Sequence, residues 1–126
     1  MDSVVHFEIP VNDPAGEGGK FYQEVFGWNT DQWGDMPYWM AGTTEVDEQT
    51  RMPKTPGAIN GGIMEKGKIA NPVITINVDD IDAKAEIIKE HGGEMIGEKQ
   101  KVGEMGWAAY FKDNSGNTMG LWQSTK

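Results

Sequence analysis

The chain has 126 residues, enough for one compact domain with a core of its own. It carries a net charge of −9, and Arg51 is its single arginine. That balance makes nucleic acid and anionic membrane surfaces, which require clustered Lys/Arg, poor partners; a neutral or cationic small molecule fits it better, while the plainer reading of the acidity is that it keeps the protein soluble.

With no cysteine there are no disulfides, thiolate metal sites or cysteine nucleophile. That composition suits a reducing, cytoplasmic setting. No apolar run approaches the roughly 20 residues of a membrane span. The start, MDSVVHFE, has neither a basic nor an apolar leader region, so no signal peptide is expected.

Residues 4–11 alternate. Val5, Phe7 and Ile9 fall on one face and His6, Glu8 and Pro10 on the other, which predicts a strand with one apolar face. Asp13-Pro14 then reads as a helix start, with Asp at the N-cap and Pro at the first helical position. The following helix places Tyr22, Val25 and Phe26 on one side and stops at Gly27. Gly16, Gly18 and Gly19 each cost about 1 kcal/mol against Ala inside a helix, so its first turns are expected to fray or start late. Short strands are predicted near 28–33, 37–43 and 58–65. A polar loop, 44–57, separates the last two. It reads equally as a lid that brings Arg51 or Met52 over a cleft and as a surface excursion.

The pattern restarts at PVITINVDD, 72–80, another alternating strand. Ile74, Ile76 and Val78 form its apolar face, with Val73, Thr75 and Asn77 opposite. Asp80 caps a helix whose stripe is Ile81, Ala85 and Ile88, ending at Gly92 or Gly93. His91, at that helix end, reads as structural, complementing the dipole and a free carbonyl. Strands are predicted over 94–100, 106–112 and 118–123, with DNSG, 113–116, as a turn.

The order β-α-β-β-β therefore occurs twice, at a shift of 67 residues that lays Ile9 over Ile76 and His6 over Val73. The fold class expected is α+β: a single domain of two βαβββ modules, 4–66 and 72–123, each a curved mixed sheet backed by a helix and offering its other face to a cleft.

The stretches HFEIPVNDP, FYQEVFGW (21–28), VITINVDDIDA (73–83) and GWAAYFKDNSGNTMGLWQ (106–123) make the chain resemble the vicinal oxygen chelate superfamily, which includes glyoxalase I, bleomycin-resistance proteins and extradiol dioxygenases. The resemblance is closest to a lactoylglutathione-lyase-related branch. It implies a cleft in each curved sheet and commonly a homodimer. In metal-dependent members, four His, Glu or Gln ligands come from the first and fourth strands of each module. Carried over, those positions are His6, Gly62, Val73 and Gly120. Only His6 has a donor, whereas Zn²⁺ or Fe²⁺ needs three or four. Glu8, about 7 Å along the same strand face, can add one carboxylate. No cofactor is therefore expected, with a divalent metal kept as the alternative.

The cleft face expected from alternation holds His6, Glu8, Val73, Thr75 and Asn77, joined by Met64 and Trp122. An apolar pocket with a few placed polar groups is the usual form of a small-molecule site. His6 and Glu8 are the candidate acid/base pair; they can equally satisfy each other or nearby backbone. In Tyr38-Trp39-Met40, one of Tyr38 or Trp39 must face the groove, where a flat or cationic ligand can stack. AGEGGK lacks the P-loop frame, and VDDIDAK lacks the Gly and Glu of a calcium loop. Three functions fit: metal-independent binding of a small organic molecule, a lyase or isomerase acting on a small carbonyl or glutathione adduct, and sequestration of a bleomycin-type antibiotic.

Overall fold

A computed structural model describes residues 1–125. The chain divides into two compact units, residues 6–72 and residues 1–5 together with 73 onward.

In the first unit, β1 (Val4–Val11, entering the unit at His6) leads to α1 (Glu17–Phe26), β2 (Trp39–Ala41) and β3 (Gly61–Glu65). The strands lie in the order β2-β3-β1. β1 runs parallel to β3, with Glu8 opposite Gly62 and Ile9 opposite Ile63. β2 runs antiparallel to β3, pairing Trp39 with Ile63 and Met40 with Gly62. The period-2 pattern of β1 sends Phe7, Ile9 and Val11 into a core with Ala41, Ile63, Tyr22, Trp28 and Trp39. Ile63 is fully buried, a contribution of about 1.5–3 kcal/mol for such a side chain.

α1 starts late, at Glu17, as its glycines imply, but departs from expectation in its cap and its face. Its N-cap is Gly16, with no side-chain cap, and Asp13 takes a left-handed φ of 50°. Asp13 instead closes a tight turn in which its carbonyl accepts from the Gly16 and Gly18 amides, both at 3.0 Å. Gly27 ends the helix at φ 74°, as its lack of a Cβ permits. Tyr22 stacks on Trp28 at 5.0 Å, but Val25 and Phe26 are exposed. The strand expected near 28–33 is absent from the described strands. Asn29 and Gln32 make only isolated bridges to Gly42 and Trp39.

The loop 44–57 carries its own hydrogen bonds. Asp47 Oδ1 accepts from the amides of Gln49 and Thr50 at 2.9 Å. Asn60 Oδ1 accepts from the Thr43 and Thr44 amides. Arg51 and Met52 are both exposed.

In the second unit, β4 (Val73–Asn77), α2 (Ile81–Glu90), β5 (Glu94–Val102), β6 (Gly106–Lys112) and β7 (Thr118–Ser124) follow one another. The strand order is β4-β7-β6-β5, with β4 and β7 parallel and the others antiparallel. The core gathers Val78, Ile81, Ala109, Phe111 and Leu121, with Ile76 and Ile88 packed against it. Ile74 does not join them and is exposed. Asp80 Oδ1 accepts from the Ala83 amide at 3.2 Å, the expected N-cap. His91 Nδ1 reaches the Ile87 carbonyl at 2.9 Å. Asp113 Oδ1 closes the DNSG turn on the amides of Ser115 and Asn117.

Candidate functional site

The polar face of β1 carries His6 and Glu8 two residues apart, and β3 lays Gly62 in register beside Glu8. Paired residues of parallel strands project to the same face, so any side chain at position 62 would stand beside Glu8. Glycine leaves that space, and Tyr38 fills it. A Cβ built on Gly62 would run into the hydroxyl end of the Tyr38 ring. Tyr38 reaches there from just ahead of β2, at the end of a turn in which the Trp33 amide donates to its carbonyl at 2.9 Å.

The Tyr38 hydroxyl bridges the two β1 side chains. It donates to Glu8 Oε2 at 2.8 Å and lies 2.8 Å from His6 Nε2. The His6 and Tyr38 rings are near parallel, 13° between planes at 6.5 Å. All three residues are partly buried. Burial pushes the His6 imidazole below the ordinary histidine range, and the nearby Glu8 charge only partly opposes that shift. His6 is therefore neutral at pH 7. Met64 lies two residues beyond Gly62 on this face, and Met40 pairs with Gly62. A hydrogen-bonded polar cluster thus stands among soft, apolar thioethers, an arrangement suited to an organic ligand.

Trp39 goes elsewhere. Paired with Ile63, it packs into the helix-side core. Its selection as a groove residue is corrected, because adjacent strand residues project oppositely and Tyr38 takes the polar face.

The second unit carries the remaining candidates. Thr75 pairs with Gly120, which pairs with Tyr110, and Asn77 pairs with Trp122. These four side chains share one face, but Val73 and Thr75 are not open on it, at 1% and 7% exposure. Their side chains settle over Gly120, where a Cβ would meet Thr75 Oγ1 at 2.9 Å and Val73 Cγ1 at 3.3 Å. Tyr110 and Met40 were not among the expected site residues. Alternation along GWAAYFK, with Trp107, Ala109 and Phe111 inward, was the signal that could have found Tyr110.

The four positions at which the family resemblance implies metal ligands do not fit a divalent ion. Gly62, Val73 and Gly120 offer no side-chain donor. Among the described residues no three His, Cys, Asp or Glu side chains gather in a metal-binding group. At position 62 the ligand's space belongs to Tyr38.

Residues 3–121 match the model of the Glyoxalase/Bleomycin resistance protein/Dioxygenase superfamily, and the chain belongs to that superfamily. It is also 31% identical over 111 residues to the protein named "Putative glyoxylase CFP32" in Mycobacterium tuberculosis and in Mycobacterium bovis. That alignment covers 85% of this chain but 40% of the relative, so the chain spans well under half the relatives' length.

Among solved structures, it resembles a methylmalonyl-CoA epimerase of Streptomyces coelicolor, with TM-score 0.60, 17% identity, and coverage of 98% of this chain and 97% of that one. A superfamily member from Vibrio splendidus aligns with TM-score 0.58 and 14% identity, covering 98% and 99%. Likeness at these identities establishes the shared α+β fold alone.

Proposed function

We propose that this protein binds a small organic molecule on the His6–Tyr38–Glu8 face, without a metal ion. The observation that carries this reading is the Tyr38 hydroxyl, seated where a metal-dependent relative's fourth-strand ligand would stand and hydrogen-bonded to both β1 side chains. Tyr38 and the Met side chains supply apolar contact, while His6 and Glu8 supply orientation. Thr75, Asn77 and Trp122 are secondary candidates on the second unit's face. The net charge of −9 favours neutral or cationic ligands over anions. A homodimer and a cytoplasmic setting accompany this reading.

The hydrogen-bonded chain from His6 to Glu8 favours one second reading, a lyase or isomerase acting on a small carbonyl compound or its glutathione adduct. Such a chain can accept and return a proton without a metal. The test is calorimetric titration of the full chain with the methylglyoxal–glutathione hemithioacetal and with bleomycin, each followed for turnover. Binding without turnover, weakened at least tenfold by His6→Ala and by Glu8→Gln, supports the first reading. Conversion of the hemithioacetal that is lost in either variant supports the second. Binding untouched by both variants removes this face from consideration.

A further inference from the structure

The three-residue chain has a direction. Glu8, as a carboxylate, only accepts, and the single Tyr38 proton goes to its Oε2. Tyr38 Oη then has only lone pairs to offer the imidazole, so His6 Nε2 must be the donor across the 2.8 Å contact. A neutral imidazole carries one proton. The remaining nitrogen, Nδ1, is therefore an acceptor. It has no hydrogen-bond partner among the described residues. Yet no buried side-chain nitrogen or oxygen among them lacks a partner. Nδ1 must therefore reach the surface.

We infer that Tyr38 is a positioning residue that fixes His6 in the Nε2–H form, and that the bare Nδ1 recognises ligands by accepting a hydrogen bond. The ligand class is a small molecule that brings a donor: a hydroxyl, an enol, or a protonated amine. This deepens the binding reading above and rests on it. The same direction follows for a proton taken from such a ligand. That proton would bind at Nδ1, its bond to the ligand breaking with the electron pair left on the ligand as an anion, while the imidazolium so formed keeps its Nε2 proton on Tyr38, whose own proton stays on Glu8.

The protein contains its own control. His91 Nδ1 faces the Ile87 carbonyl, which can only accept, so His91 holds its proton on Nδ1, opposite to His6. With only two histidines in the chain, imidazole ¹⁵N–¹H correlation spectra of the ¹⁵N-labelled protein at mildly alkaline pH, assigned with His6→Gln, read both tautomers. The expected result is Nε2–H at His6 and Nδ1–H at His91. Glu8→Leu frees the Tyr38 proton to donate to Nε2 and should turn His6 to the Nδ1–H form, an inversion that loss of packing alone would not cause. Nδ1–H at His6 in the unaltered protein overturns the inference, as does a tautomer indifferent to Glu8→Leu in a folded variant.

Phenol and anisole, added separately, then test recognition. Phenol should shift the Nδ1 resonance and bind about tenfold more tightly than anisole, the worth of one hydrogen bond. Phenol that perturbs the Met40 and Met64 methyl signals but not Nδ1 sinks the inference and leaves the binding reading standing. Phenol that perturbs neither refutes both.

Discussion

Gly62→Ala is the sharpest probe of how this face is built. Alanine in place of glycine inside a strand ordinarily gains about 0.5–1 kcal/mol by restricting the unfolded chain. Here the new methyl group falls on the hydroxyl end of Tyr38. The ring must swing away, giving up its bonds to His6 and Glu8. Two such bonds are worth about 1–3 kcal/mol together, so set against that gain a net loss centred near 1 kcal/mol, and up to about 2.5 kcal/mol, is expected. In a Tyr38→Ala background the obstacle is gone, and the same substitution should stabilise by about 0.5–1 kcal/mol. The sign therefore inverts, with a coupling of about 2 kcal/mol. Urea denaturation followed by circular dichroism resolves this, because m-values of about 1–3 kcal/mol/M turn that coupling into a midpoint difference on the order of 1 M. Equal midpoint shifts in the two backgrounds would show that Tyr38 does not occupy the space over Gly62, and the account of the site would fall with it.

Gly120→Ala should lower stability by about 1–3 kcal/mol, since its methyl group meets Oγ1 of the buried, β-branched Thr75 at 2.9 Å and Val73 Cγ1 at 3.3 Å; an unchanged midpoint in urea denaturation contradicts the stated packing. Asp80→Ala removes the acceptor for the Ala83 amide and should lower stability by about 1 kcal/mol, or Tm by roughly 4 °C; an unchanged Tm in calorimetry would deny the cap. The depressed His6 pKa sets a third expectation. Above pH 6.5 both folded and unfolded states hold it neutral, and as pH falls the unfolded chain protonates first. Stability should thus decline from about pH 6.5 until His6 itself titrates in the folded state, with a slope that His6→Gln reduces. A pH 5–7 stability profile identical in the variant would refute this. Asp2, Asp47 and Asp113, all lowered by hydrogen bonds or, for Asp2, by Lys84, act at more acid pH and leave that window clear.

What could be read from the sequence was set by short-range chemistry. The alternation of β1 sorts Phe7 and Ile9 from His6 and Glu8, and Gly27 and Asp80 mark helix ends by local backbone demands alone. The rest depended on partners distant in the chain. Whether Tyr38 or Trp39 shares the face of His6 and Glu8 is a matter of parity against β3, and only the pairing of Trp39 with Ile63 decides it. Val73 and Thr75 are buried because Gly120, 45 or more residues later, gives them room. The Asp13-Pro14 opening of α1 failed for a related reason, although its late start was legible in the glycines. Asp-Pro is a sound helix opener in isolation, but the glycines behind it let the Asp13 carbonyl close a turn with two of their amides instead.

Tyr38 does not belong to a regular strand. It follows the tight turn 33–37, in a stretch tethered by isolated bridges, whereas His6 and Glu8 are fixed in the register of β1. Two of the three polar groups are thus bolted to the frame, and the third hangs from a replaceable bracket. Substitutions in that bracket can exchange the middle group without disturbing strand pairing. A lineage carrying this arrangement can change the chemistry of this face through a few turn residues, while its architecture is inherited unchanged.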